Sequence, residues 1–320
     1  MDSHPTDAVV LAEVTRSGFV EGVHVGHAVI VSPQGDIVQS WGDPNRVIFP
    51  RSSNKPAQAT AMVNLGLDLP PHLLALSAAS HSGEQMHLDA VREILGGAGL
   101  PEADLQTPPD LPLDEVERDS WIVAGRGAVP IAMNCSGKHA SMLATCVING
   151  WPIKNYRDPS HPLQLEIVRE IERCAGEPIS ATGVDGCGAP VLAISLAGLA
   201  RSVSVLAQGQ EQSSGRRVLD AMRAWPQHVG GSRRDVTEFM RAVPGLVAKD
   251  GAEGVYVGAF LDGRAFAVKM EDGGDRGRTV TVAALLTLMG SDPRPLAPLA
   301  TLPLLGGGMP VGLVSSVLAG

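Results

Sequence analysis

Arg51-Ser52-Ser53-Asn54-Lys55-Pro56 places a hydroxyl and an amine three residues apart, at the expected start of a helix. Residues i and i+3 share a helical face, so a desolvated Lys55 amine can take the proton of Ser52 and make it a nucleophile. The same four residues also suit a helix cap at Ser52 and a solvated Lys55. A second polar group, Ser80-His81-Ser82-Gly83-Glu84, interrupts the apolar stretch Leu73 to Ala79 just before another helix. Ser82 fits the capping position there, whereas Ser80 needs a base from elsewhere. Lys269, on the apolar strand segment Val268 to Met270, is a possible partner. A third pair of segments is glycine-rich: Asn134-Cys135-Ser136-Gly137-Lys138-His139 and Asp185-Gly186-Cys187-Gly188. Their two thiolates can hold a soft divalent metal, completed by His139, Asp185 or an amine from Lys138, which makes zinc the first choice. As a bare pattern the two cysteines also read as buried hydrophobes. Gly137-Lys138-His139 is not a phosphate-binding loop, because it lacks the first glycine at that spacing and a Ser or Thr after the lysine.

Composition sharpens these candidates. Of the 25 basic residues in the 320-residue chain, only five are lysines, at 55, 138, 154, 249 and 269. Where arginine has replaced most lysines, those that persist are candidates for work that needs an amine able to shed its proton. The formal net charge of -9 argues against a nucleic-acid binder or a polybasic membrane-surface protein. With 44% hydrophobic and 18% charged residues, there is ample material for a core. Four cysteines without CxxC spacing suit a reducing compartment better than a disulfide framework. The leading segment has no Lys or Arg before Arg16 and no apolar run, unlike a secretory signal. The longest apolar stretches, Ala189 to Ala200 and Val280 to Met289, fall short of the ~18–20 residues that cross a bilayer. The expectation is a soluble, cytoplasmic protein with no nucleic-acid or membrane partner.

These side chains must be positioned by a fold that brings the chain ends together. Short β-branched runs at 8–14, 27–31 and 36–41, with a turn at Ser32-Pro33-Gln34-Gly35, read as antiparallel strands. Helical periodicity starts after Ser52 and continues through candidate helices at 83–95, 138–148, 161–174, 189–199, 213–225 and 234–243. Strands return at 255–261 and 265–270 around Asp262-Gly263-Arg264, followed by a helix at 279–288. The expected fold is α+β, an α/β sandwich whose antiparallel sheet comes from N- and C-terminal strands and carries a helical insert. One domain over 1–320 is expected, with sheet parts at about 8–50 and 250–320 and a helical middle at about 51–249. The Pro-, Leu- and Gly-rich stretch 293–308 reads as an extended surface cover.

In this order the motifs resemble the asparaginase II family of Rhizobium etli type, across about Arg16 to Gly273. That family is similar in fold to serine β-lactamases and glutaminases, which agrees with the end-to-end sheet. The resemblance implies hydrolysis of L-asparagine to L-aspartate and ammonia by two Ser–Lys tandems, here Ser52 with Lys55 and Ser80 with Lys269, Ser52 being the nucleophile. It also implies one zinc ion per subunit on Cys135, Lys138 and Cys187, and a homodimer. Arg51, Glu84, Asn134, His139 and Asp185 become candidates to bind substrate, Arg51 through the substrate carboxylate. Two other readings stay open. A β-lactamase-like acyl-serine hydrolase would share Ser52 and Lys55, but the chain has no Ser-Asp-Asn or Lys-Thr-Gly. A non-catalytic, zinc-containing amino-acid-binding protein would bind asparagine without turning it over.

Overall fold

A computed structural model describes residues 7–318. The first six residues of the leading segment lie outside the described residues. Strands β1 (Val9–Arg16) and β2 (Phe19–Val31) are joined by Ser17-Gly18, both at positive φ, the backbone shape of a tight hairpin turn. β2 is 13 residues long and is used twice: its first half pairs with β1, its second half with β3 (Ile37–Trp41). The chain then runs through β4 (Val47–Ile48), α1 (Lys55–Asn64), α2 (Pro71–Ser77), α3 (Gln85–Gly97), α4 (Glu115–Val123), α5 (Ser136–Ile148) and α6 (Pro162–Ala175). β5 (Ala181–Val184) and β6 (Pro190–Ser195) follow, then α7 (Leu196–Ala207), α8 (Ser214–Ala224), α9 (Pro226–Val229) and α10 (Asp235–Ala242). The last part is β7 (Leu246–Asp250), β8 (Val255–Phe260), β9 (Ala265–Met270), α11 (Asp275–Leu288), α12 (Pro293–Ala300), β10 (Thr301–Gly306) and β11 (Met309–Ser316).

The large sheet has the order β10-β11-β1-β2-β9-β8-β7, with β3 also on β2, and its pairings are antiparallel. The α+β architecture with a sheet assembled from both ends of the chain is therefore as the sequence implies. Every residue of β8 is buried, so both of its faces are covered, and α7 and α11 are the long helices that reach it. Helix α1 is buried at every position but Asn64, which makes it a central helix rather than an amphipathic surface one. Lys55 opens that helix.

Three expectations are corrected. The segment 189–199 is not one helix: it is strand β6 between β4 and β5, and α7 begins at Leu196 with Ser195 accepting from the Gly198 N–H at 2.9 Å. A short continuous apolar run cannot be told from a buried helix by periodicity alone. The stretch 293–308 is not an extended cover. Pro293 sits in the first turn of α12, where its missing N–H costs nothing, and β10 pairs with β11. The middle is not wholly helical either, since β5 and β6 lie within it and β7 carries Lys249 into the large sheet. Among the described residues no helix is long and apolar enough to cross a membrane.

Candidate active site

The site is built where the turn before α1, the extended segment after α2 and the end of β7 meet. Arg51 to Asn54 form a single 3-10 turn that runs directly into α1, and side chains three apart eclipse one another in such a turn. Ser52 and Lys55 thus project from one side of the chain. After α2 the chain is extended, held by the Ser80 N–H to the Val229 carbonyl and the His81 N–H to the Asn134 carbonyl, both 3.0 Å. Ser80 is thereby fixed beneath α1.

Lys55 Nζ donates to Ser80 Oγ at 3.0 Å, to the Ala79 carbonyl at 2.5 Å and lies 3.1 Å from Cys135 Sγ. Its amine is turned to Ser80, so the S-x-x-K hydrogen bond to Ser52 is not formed. Ser52 remains partly exposed and makes no side-chain hydrogen bond among the described residues. The second amine on Ser80 is Lys249, 3.0 Å from its Oγ. Lys249 also donates to its neighbour Asp250, at 2.7 Å to the carbonyl and 2.6 Å to Oδ1. Complete burial pushes the Lys249 amine down to about 8, with Lys55 and Arg234 adding to the effect and Asp250 opposing it. Asp250 is held well below the usual carboxylate range despite its burial, because Lys249, Arg234 and Arg278 surround it. Arg234 is in direct contact with it.

The expected pairing of Ser80 with Lys269 is corrected by strand register. Lys249 lies opposite Val257 and Lys269 opposite Val255, so both lysines stand on the same face of the sheet. They lie on either side of β8, however, and it is the lysine of β7 that reaches Ser80. Lys269 instead donates to the carbonyls of Glu253 at 2.7 Å and Met270 at 2.6 Å. Lys249 stood in the lysine count, but a Lys-Asp pair after Pro244-Gly245-Leu246 looks like the polar end of a loop. The signal that could have found it is the run Leu246-Val247-Ala248, long enough to start a strand.

On the other side of Lys55 lie the two sulfurs. Cys135, Lys138 and Cys187 are all buried, and Lys138 Nζ is 3.3 Å from Cys187 Sγ. The Cys135 thiol is pushed well down by the hydrogen bond from Cys187, and further by Lys55 and Lys138, against burial. Cys187 moves the opposite way, since its proton serves Cys135. Lys138 is raised: burial would lower it, but the sulfurs and Asp185 outweigh that. Cys135 Sγ also lies 3.0 Å from the side-chain oxygen of Asn134. Among the described residues no group of three or more His, Cys, Asp or Glu side chains is set to hold a metal ion. Two sulfurs with the Lys138 amine are a donor set outside that description, and their convergence fits a soft divalent ion.

The remaining candidates divide. Asp185 faces Arg51, accepting from its Nε at 2.7 Å and from the Gly186 N–H at 2.9 Å. Arg51 is held there at φ +53°, a left-handed conformation that a non-glycine residue adopts only under constraint. His139 Nδ1 and the Tyr156 hydroxyl share a hydrogen bond of 2.6 Å, and among the described residues the buried His139 Nε2 has no partner. Burial, with Lys138, Lys55 and Arg157 beside it, holds His139 neutral. Glu84 is brought elsewhere: it caps α3 and accepts from the Ser232 N–H and hydroxyl at 2.6 and 2.7 Å. Ser82 donates to the Gly230 carbonyl at 2.7 Å instead of capping α3.

Gly251 locks the two lysine-bearing elements together. A Cβ there would stand 2.6 Å from the Pro50 carbonyl and 2.7 Å from Ser53 Oγ. Gly251→Ala is expected to push the 50–53 turn off β7, lowering stability by about 1–3 kcal/mol as overpacking does. Chemical denaturation of the variant beside the wild type checks this.

A serine hydroxyl held between two buried lysines is a set of groups able to pass a proton. The chain belongs to the L-asparaginase II family, whose model matches residues 12–316. A search of curated proteins finds no match. Among solved structures it is similar to Mglu in its native form, with 16% identity and a TM-score of 0.44, over 82% of this chain and 64% of that one. It thus spans just under two thirds of Mglu. It is also similar to a β-lactamase from Mycobacterium bovis, with 15% identity and a TM-score of 0.36, over 82% and 94% of the two chains. For a Bacillus glutaminase the values are 13% and 0.36, over 82% and 89%.

Proposed function

We propose that the protein hydrolyses L-asparagine to L-aspartate and ammonia through Ser52, Lys55, Ser80 and Lys249. The observation that carries this is the position of Ser80 Oγ, 3.0 Å from both Lys55 Nζ and Lys249 Nζ. A hydroxyl engaged by two amines can accept a proton from one as it gives its own to the other. Ser80 is the relay. Ser52 is the hydroxyl left open to substrate, and it takes the nucleophile's role, with Lys55 three residues on as its base. Ser52 Oγ attacks the amide carbon, the carbon–nitrogen bond breaks, and ammonia leaves with the proton passed through Ser80. Water then attacks the resulting ester and returns Ser52. Membership of the L-asparaginase II family supports asparagine as the substrate. Ammonia release from L-asparagine, with L-glutamine in parallel, tests the reading. Faster release from asparagine is expected. Binding of asparagine without release would put the non-catalytic amino-acid-binding reading in its place.

Cys135, Lys138 and Cys187 would hold one zinc ion, which when bound draws together the loops that carry them and supplies a fixed positive charge. Lys138 must shed its proton to serve as a ligand, so binding is expected to strengthen as pH rises. Metal analysis of the wild type is expected to give one zinc per chain, and Cys187→Ser close to none. The reading includes a homodimer, tested by light scattering at micromolar chain concentration.

A further inference from the structure

Lys269, once removed from Ser80, lines a separate cavity of about 220 Å³ together with Arg46, Arg51, Phe49 and Glu253. One of its lining residues, Arg51, is the chain neighbour of Ser52. Two of its walls are strained. Arg51 at φ +53° and Glu253 at φ +59° are both non-glycine residues in the left-handed region, and they face each other with Arg51 Nη1 3.7 Å from Glu253 Oε1. Backbone strain of this kind gathers where a ligand has to be met.

The polar groups are also fixed. Asp185 grips Arg51 through Nε, and Arg51 Nη1 lies on the Glu253 side. Two carbonyls hold the Lys269 amine, and an ammonium has a third N–H to give. Arg46 is set against Glu271 at 3.8 Å. Glu253 offers the one carboxylate among the lining groups, and it is two-thirds exposed. A carboxylate meets cations here and an ammonium meets an acid, the complement of a zwitterion.

We propose that this cavity is the head-group subsite for a free α-amino acid, with Arg51 and Lys269 taking its carboxylate and Glu253 its ammonium. This rests on the amide-hydrolysis reading and extends it: Lys269 and Glu253 are the residues that set the preference for a substrate carrying both a free carboxylate and a free ammonium. Arg51 then links the head group to the serine beside it.

The test compares kcat/KM for ammonia release from L-asparagine and from succinamic acid, which keeps the amide and the carboxylate but lacks the ammonium. Glu253→Gln is expected to reduce the preference for asparagine about tenfold, the worth of one charge-assisted hydrogen bond. Lys269→Met is expected to lower both substrates together, about tenfold through KM, and to keep the preference. An unchanged preference in Glu253→Gln overturns the proposal, as does a loss in Lys269→Met confined to kcat. If the wild type releases ammonia from no amide, the activity reading fails and the subsite is judged by calorimetric titration with L-aspartate. Binding that weakens in Lys269→Met supports it, and absent or equal binding overturns it.

Discussion

Methionine at Lys249 is expected to slow ammonia release from L-asparagine by about 10²–10⁴-fold, the range for loss of a positioned proton-transfer group. The argument begins with burial. Lys249 has no exposed surface and its amine is pushed down to about 8, so at neutral pH roughly a tenth of molecules carry it as the free base. The groups that face it are Ser80, Lys55, Asp250 and Arg234; the two cations lower it and Asp250 raises it. A neutral amine accepts a proton from Ser80, and that form grows as pH rises. The wild-type kcat/KM is therefore expected to climb through pH 7, bend near 8 and flatten above it. In Lys249→Met the bend near 8 disappears along with most of the rate. Lys249→Arg separates chemistry from charge, since arginine can keep the contact with Asp250 but does not deprotonate. A Lys249→Arg enzyme with wild-type turnover and an intact bend would remove Lys249 from proton transfer and leave it as a partner for Asp250.

What the sequence disclosed about this site follows from the range of each interaction. Ser52 with Lys55, and Cys135 with Lys138, lie within one turn of chain, so local spacing carries them. The meeting of Cys135 with Cys187 spans 52 residues, and the shared glycine-rich setting of the two loops was its only local sign. Ser80 and its partner span 169 residues, and there the choice between Lys249 and Lys269 turns on strand order. Composition narrowed the field to five lysines. Alternation along each strand puts both of these lysines on one sheet face, so no side-chain pattern in the sequence separates them. Only the placement of β7 outside β8 does so, and β7 is five residues long with a charged end. The fold was legible for a similar reason. Long periodic helices such as α5 and α6 and the β8–β9 hairpin are local features, whereas β6 and α12 depend on neighbours distant in sequence. The α+β layout needed only the first kind.

Alanine at Ser52 is expected to cost about 10⁴-fold or more in turnover, and alanine at Ser80 about 10²–10³-fold, because one removes the attacking atom and the other a proton path. The two serines differ in what already occupies them. Ser80 is engaged by both amines and is nearly fully buried, so substrate can approach its oxygen only by displacing a lysine. Among the described residues Ser52 makes no side-chain hydrogen bond, and it is only partly buried in its 3-10 turn, next to Arg51. If Ser52 attacks, Ser80→Ala still forms the β-aspartyl ester but turns it over slowly, and rapid quenching followed by peptide mass spectrometry should find the adduct on the peptide carrying Ser52. Ser52→Ala should show no adduct on either serine. An adduct on Ser80 in the Ser52→Ala protein would reverse the assignment, making the hydroxyl between two lysines the nucleophile and reducing Ser52 to a residue that shapes the approach of substrate.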